Sequence, residues 1–192
     1  MLFPYREGLA FVAALRRRQP WSAIDAAFKR PPRSTEQILH PEKYVADEEP
    51  VVVAPPAPSA LGTYKVAHST VWGELGFQLF LRSHGIDAAI AAQAAAGWGG
   101  DRVVVLAKGD RTIGIARFEW DSEADAIEAH EAAVRALDAA IVGGTIEHGE
   151  LRTRWLALDG TIAYAERRGS SLMLAIGVPA RLAADVEREL TR

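Results

Sequence analysis

The spacing of apolar positions changes several times along the chain, and each change predicts an element. Over residues 5–18, Leu9, Val12 and Leu15, with Ala10, Phe11 and Ala14 beside them, keep helical spacing until Pro20. A second short helix over 21–28 runs through Ile24 and Phe28 and is ended by Pro31-Pro32, because the residue before a proline is driven out of the α region. Ser34, with Gln37 three residues later, is a capping box that opens a third helix, closed at Pro41. Three short helices with loose ends do not make a self-sufficient core.

Prolines 50, 55, 56 and 58 then break the pattern, and that density favours extended geometry. The expected organisation is a helical segment over 1–45, a proline-rich linker or surface-lying segment over 46–60, and a main domain over 61–192. Within the main domain, 64–70 has the makings of a short strand. Residues 73–83 carry Leu75, Leu79 and Phe80 at helical spacing, and 87–96 is an alanine-rich helix with Asp87 as N-cap and Gly97 as its stop. After a glycine-rich turn over 97–101, two apolar strands, 102–107 and 111–120, flank Gly109-Asp110.

The strongest helical pattern covers 122–142, where Ile127, His130, Val134, Leu137 and Ile141 form one stripe flanked by alanines. Strands over 151–158 and 161–167 flank Asp159-Gly160, a pair that suits a type I′ turn. A strand over 171–178 and an amphipathic helix over 180–190 complete the chain. Strands joined by tight turns are antiparallel, and helices arriving in blocks argue α+β. The expectation is a mostly antiparallel sheet of about five strands, with helices packed mainly on one face and a small helical N-terminal segment.

Composition narrows the function. With 49% hydrophobic and 24% charged residues in 192, the chain has the makings of an ordinary core. A net charge of -3 supplies no basic field for a phosphate backbone, which disfavours nucleic acid as a partner. Arg16-Arg17-Arg18 reads first as a helix end that complements the macrodipole. Without cysteine there is no disulfide framework, thiolate metal site or cysteine nucleophile. No apolar run is long enough for a membrane span, and no signal peptide opens the sequence, so the chain as given reads as cytoplasmic, or as exported if a longer natural chain carries a signal.

No catalytic constellation stands out. His130-Glu131 lacks the second histidine of a zinc helix, and His130 fits a core residue bonded to a carbonyl. His40 reads as structural, and a pairing of His68 with Glu74 is conceivable if 64–70 folds over the next helix. Serine never sits in a G-x-S-x-G turn. Gly97-Trp98-Gly99-Gly100-Asp101 lacks the lysine of a phosphate loop and precedes a strand, so it reads as a helix stop and tight turn. Asp121, Glu123 and Asp125 suit the first turn of a helix. Trp72, Trp98, Trp120 and Trp155 come from different elements and are available to converge on one end of the sheet.

Two blocks carry a resemblance. The first is Tyr5-x-x-Gly8-x-x-Phe11-Val12-x-x-Leu15 with Trp21 and Pro31-Pro32-x-Ser34-Thr35-Glu36-Gln37-Ile38-Leu39-His40-Pro41-Glu42-Lys43-Tyr44. The second combines Gly73-Glu74-Leu75-Gly76, Gly97 to Arg102, and Trp120-Asp121-x-Glu123-x-Asp125-Ala126. Together they resemble the C-terminal region of uncharacterised bacterial and archaeal zinc-metallopeptidase-like proteins. Such a peptidase needs two histidines one helical turn apart with a glutamate between them, and this chain has no such pair, so no catalytic or metal residue is carried over. The resemblance implies a non-catalytic accessory or protein-interaction module without a cofactor, partnered by another protein or an upstream domain. The alternative is a small-ligand or peptide-binding protein with a Trp-lined groove built from Trp72, Glu74, Trp98, Asp101 and Trp120.

Overall fold

Strands that are apolar on both faces must be covered on both faces, and that requirement fixes the architecture. In β3 (Arg111–Trp120), Ile113 and Ile115 point to one side while Ala116, Phe118 and Trp120 point to the other, all buried. The same alternation runs through β6 (Thr161–Arg168) and β7 (Ser171–Pro179). The structure, a computed structural model, describes residues 3–190.

The sheet has seven antiparallel strands in the order β1-β2-β3-β7-β6-β5-β4, with β1 (Lys65–Thr70), β2 (Trp98–Lys108), β4 (Thr145–His148) and β5 (Arg152–Leu156) completing it. The expected five become seven because two edge strands join. β1 occupies the stretch that has the makings of a short strand although five of its six residues are exposed, whereas β4 is exposed throughout and lacks the apolar face by which a strand is read from sequence.

Helices α5 (Gly73–Ser83), α6 (Ala88–Ala95) and α7 (Glu123–Ala140) cover one face, over Phe77, Trp98, Phe118, Trp120, Trp155 and Leu172. Helix α8 (Ala180–Leu190) and a 3-10 turn at Ser59–Leu61 cover the second face over Ile113, Ile115, Tyr164 and Val178. The buried side of α7 is rotated from the expected stripe. Its alanines 126, 129, 133 and 136 face the core with His130 and Leu137, while Ile127 is 39% exposed. Methyl-sized side chains let the helix lie close to the sheet, and the larger residues flank the contact.

The hairpins follow their glycines with one change. Only Gly160 has positive φ in the β5–β6 loop, and its N–H donates to the Ala157 carbonyl while the Ala157 N–H donates to the Thr161 carbonyl, so the loop has three residues, one more than type I′. Asp159 instead accepts hydrogen bonds from the Thr161 N–H and hydroxyl.

Helices α1 (Phe3–Arg18), α2 (Trp21–Lys29), α3 (Thr35–Leu39) and α4 (Pro41–Val45) gather around a small cluster of Phe11, Leu15, Ile24 and Tyr44. Ser34 caps α3 by accepting from the Gln37 N–H, but the Gln37 side chain reaches past Ser34 to the Arg33 N–H and donates to the Glu48 carbonyl. From there residues 50–53 run as a strap along the start of β2. The Val51 N–H donates to the Gly99 carbonyl, and Val53 is buried. A side chain at Gly100 would collide with the Val51 backbone, which explains that glycine.

Phe118 is fully buried and its ring meets those of Phe77, Trp72 and Trp120. Phe118→Ala is expected to lower stability in urea denaturation by about 3–5 kcal/mol. Val52→Ala, at a side chain left in solvent, is expected to change it by less than about 0.5 kcal/mol.

Candidate functional site

The five residues singled out from sequence lie at one end of the sheet, where the helical segment meets α5 and the start of β2. Asp101, on β2 and 2% exposed, accepts hydrogen bonds from the Trp72 N–H at 2.9 Å, the Gly73 N–H at 2.8 Å and the Trp98 indole N–H at 3.0 Å. It thereby caps α5 from a neighbouring strand, satisfying donors that a helix start leaves open. Burial pushes its pKa up, and the three donors work against that shift. A second outside cap comes from α3, where the Thr35 hydroxyl accepts from the Leu75 N–H.

Glu74 follows one residue later and is 1% exposed. Its Oε1 lies 3.1 Å from His40 Nε2 and accepts from the Gln78 amide at 3.1 Å, while Oε2 has no partner among the described residues. His68 is exposed on β1, so the histidine that meets Glu74 is His40. The hydrogen bond to Glu74 raises the His40 pKa against the effect of burial.

Sequence reasoning did not assemble the neighbouring charge cluster. Lys43 Nζ lies 2.7 Å from Glu36, 2.8 Å from Glu48 and 2.5 Å from Asp121. The three carboxylates approach one another within 4.8 Å, close enough to surround a cation, and the Lys43 ammonium fills that place. Burial lifts the Glu36 carboxyl to about 7, with Lys43 offsetting part of the rise. Burial lowers the Lys43 pKa, and its bonds to Asp121, Glu36 and Glu48 outweigh that and raise it.

Beside this seam is a hollow of about 350 Å³. The strap at Pro50–Val53 forms one wall, Val71, Trp72 and Gly73 another, and Trp98, Asp101 and Arg102 the floor, with Arg33 to Thr35 at the rim. Trp98 is 1% exposed and Trp72 is half-buried. Trp120 pairs with Trp98 across the strands and packs in the same aromatic core, but it does not line the hollow. Trp155 lies in the same core, where its indole donates to Asp138. A hollow of about 610 Å³ lies apart, around the Asp110 and Asp159 turns and Arg181.

The glycine-rich stretch is the bulged start of β2 rather than a turn, with the register shifting between Trp98 and Gly100. Gly97 alone has positive φ there, and a side chain on it would strike Asp125. His130 is buried against the Ala165 backbone, and burial lowers its pKa. No helix among the described residues is long and apolar enough to cross a membrane.

These elements define an α+β protein with a two-sided antiparallel sheet and a polar seam at one end. The chain belongs to the family described as Domain of unknown function (DUF8575), whose model matches residues 62–187. Among solved structures it is similar to the extracellular domain of PknH from Mycobacterium tuberculosis, at 7% identity and a TM-score of 0.40 over 68% of this chain and 81% of that one. No curated protein matches it.

The seam has a definite pH response. The Glu74 bond raises the His40 pKa, so its stabilising contribution is complete below about 6.5 and is lost as pH rises through the higher folded value. Glu36 is raised from 4.5 to about 7, so the fold holds its proton more tightly and loses stability as pH rises across that interval. Both effects favour the docked seam in mild acid. His130 runs the other way, so global unfolding mixes the two signs, and hydrogen exchange resolves them by region. Protection of amides 36–46, corrected for intrinsic exchange, is expected to fall between about pH 5 and 8. His40→Gln is expected to remove the upper part of that fall, and a flat profile would contradict the assignment.

Proposed function

We propose that the chain is a non-catalytic interaction module that takes an extended apolar segment of a protein partner into the hollow beside Trp72 and Trp98. The hollow carries this reading. Its size lies at the lower end of the range for ligand sites, and its lining is mainly apolar with a few polar groups. Val51, Val52 and Val71 around it are 57%, 91% and 49% exposed, an unusual amount of β-branched surface to leave in water. The charged groups at the hollow already have partners: Asp101 accepts from three N–H donors, Arg33 pairs with Asp47 and Glu49, and Arg102 reaches the Val53 carbonyl. The site therefore offers shape and apolar surface rather than reactive groups. A small apolar ligand is the second reading, favoured by the same hollow.

An NMR titration separates the two. Apolar tetrapeptides are expected to shift the Trp72 and Trp98 indole signals together with the Val52 methyls, and Val52→Asp is expected to abolish the effect. Small apolar acids that shift only the indoles would favour the second reading. A panel that moves none of these signals would end both.

The relation to metallopeptidase-like proteins belongs to the same proposal and rests on the block from Pro31 to Tyr44. If the module is an accessory part of such a protein, the protein isolated from its native source is expected to exceed 20.8 kDa and to carry about one zinc. A metal-free chain of 20.8 kDa would remove the relation and leave the hollow untouched.

A further inference from the structure

The outward face of α1 and α2 combines two features that neither the sheet nor the seam uses. Tyr5 and Leu9 on α1 are 78% and 71% exposed, and Trp21 and Phe28 on α2 are 64% and 83% exposed. Tyr5, Leu9 and Arg16 fall on one side of α1 by helical spacing, opposite the flank that buries Phe11 and Leu15. The Arg16 guanidinium lies over the Trp21 ring at 5.0 Å, which joins that side to α2. Trp21 and Phe28, seven residues apart, share one side of α2.

The second feature is charge. Helices α1 and α2 carry five Lys and Arg against two Asp and Glu, in a chain that totals 22 against 25. The helical pair is thus basic and the rest of the molecule acidic. Arg17, Arg18 and Lys29 are exposed and make no ion pair with another described residue.

We propose that α1 and α2 form a docking face for an anionic membrane surface, with Tyr5, Leu9, Trp21 and Phe28 entering the headgroup layer and Arg16, Arg17, Arg18 and Lys29 contacting lipid phosphates. Aromatic and leucine side chains interspersed with arginine suit an interface that is apolar below and phosphate-rich above. A folded protein partner would have to desolvate Arg16 against the Trp21 ring, whereas a headgroup layer leaves it hydrated and supplies its counterion. The acidic remainder is repelled by the same surface, so the helical face points toward the membrane.

Sedimentation of the full chain with vesicles tests this. Vesicles of phosphatidylcholine containing about a third phosphatidylglycerol are expected to bind at least about tenfold more tightly than phosphatidylcholine alone, with Trp21 emission shifted to the blue. Binding is expected to fall away at high salt. The triple variant R16Q/R17Q/R18Q and the double variant W21S/F28S should each weaken it by about tenfold. These side chains are exposed, so unchanged thermal melting confirms that each variant is folded. Failure to bind anionic vesicles, or equal binding to neutral ones, would overturn the proposal. Salt-sensitive binding of polyglutamate without vesicle binding would also overturn it and assign the face to an acidic protein.

Discussion

A buried carboxylate, Asp101, sets the geometry of the whole seam. Its three N–H donors come from the two residues that open α5 and from a tryptophan three positions earlier on its own strand. Removing it would strand those donors away from water, at about 1–3 kcal/mol for each left unsatisfied. Because the bonds fix where α5 begins, they also place Gly73 against Thr35 and turn Glu74 toward His40. The hollow beside Trp72 follows from the same constraint, since the strap can cross only where Gly100 makes room for the Val51 backbone.

Elements carried by burial were legible in the sequence. β2, β3, β6 and β7 announce themselves as apolar runs between glycine turns, and Ser34, Asp87 and Ser122 cap helices as their spacing implies. Elements held by hydrogen bonding to an edge were less so: 64–70 has only the makings of a strand, and nothing in the sequence marks β4. Both bury almost nothing, so their neighbours' open edges define them. The site divided along the same line. Of the five residues expected to build a groove, Trp72, Trp98 and Asp101 line the hollow, whereas Glu74 and Trp120 do not. The Lys43 cluster draws carboxylates from residues 36, 48 and 121, a separation that no local period encodes.

That cluster shows how one arrangement of groups serves either of two ends. Three converging carboxylates demand positive charge, and in many proteins a metal ion supplies it. Here Lys43 does so from within the chain, and in doing so it ties α4 to α3, to the residues leading into the strap and to Asp121 just ahead of the α7 cap. The ion cluster therefore acts as a joint between the helical segment and the sheet.

The joint matters because the helical segment has little else to hold it. Its core is Phe11, Leu15, Ile24 and Tyr44, against a sheet buried on both faces by far larger clusters. So small a core does not offset the conformational entropy of four helices on its own. The segment's order is thus borrowed from Lys43, His40 and Thr35, whose partners titrate or lie part-exposed, while the sheet's order comes chiefly from apolar burial that salt does not screen. The two parts of the molecule accordingly respond to different solution conditions, and the helical part is the one free to loosen while the sheet stays folded.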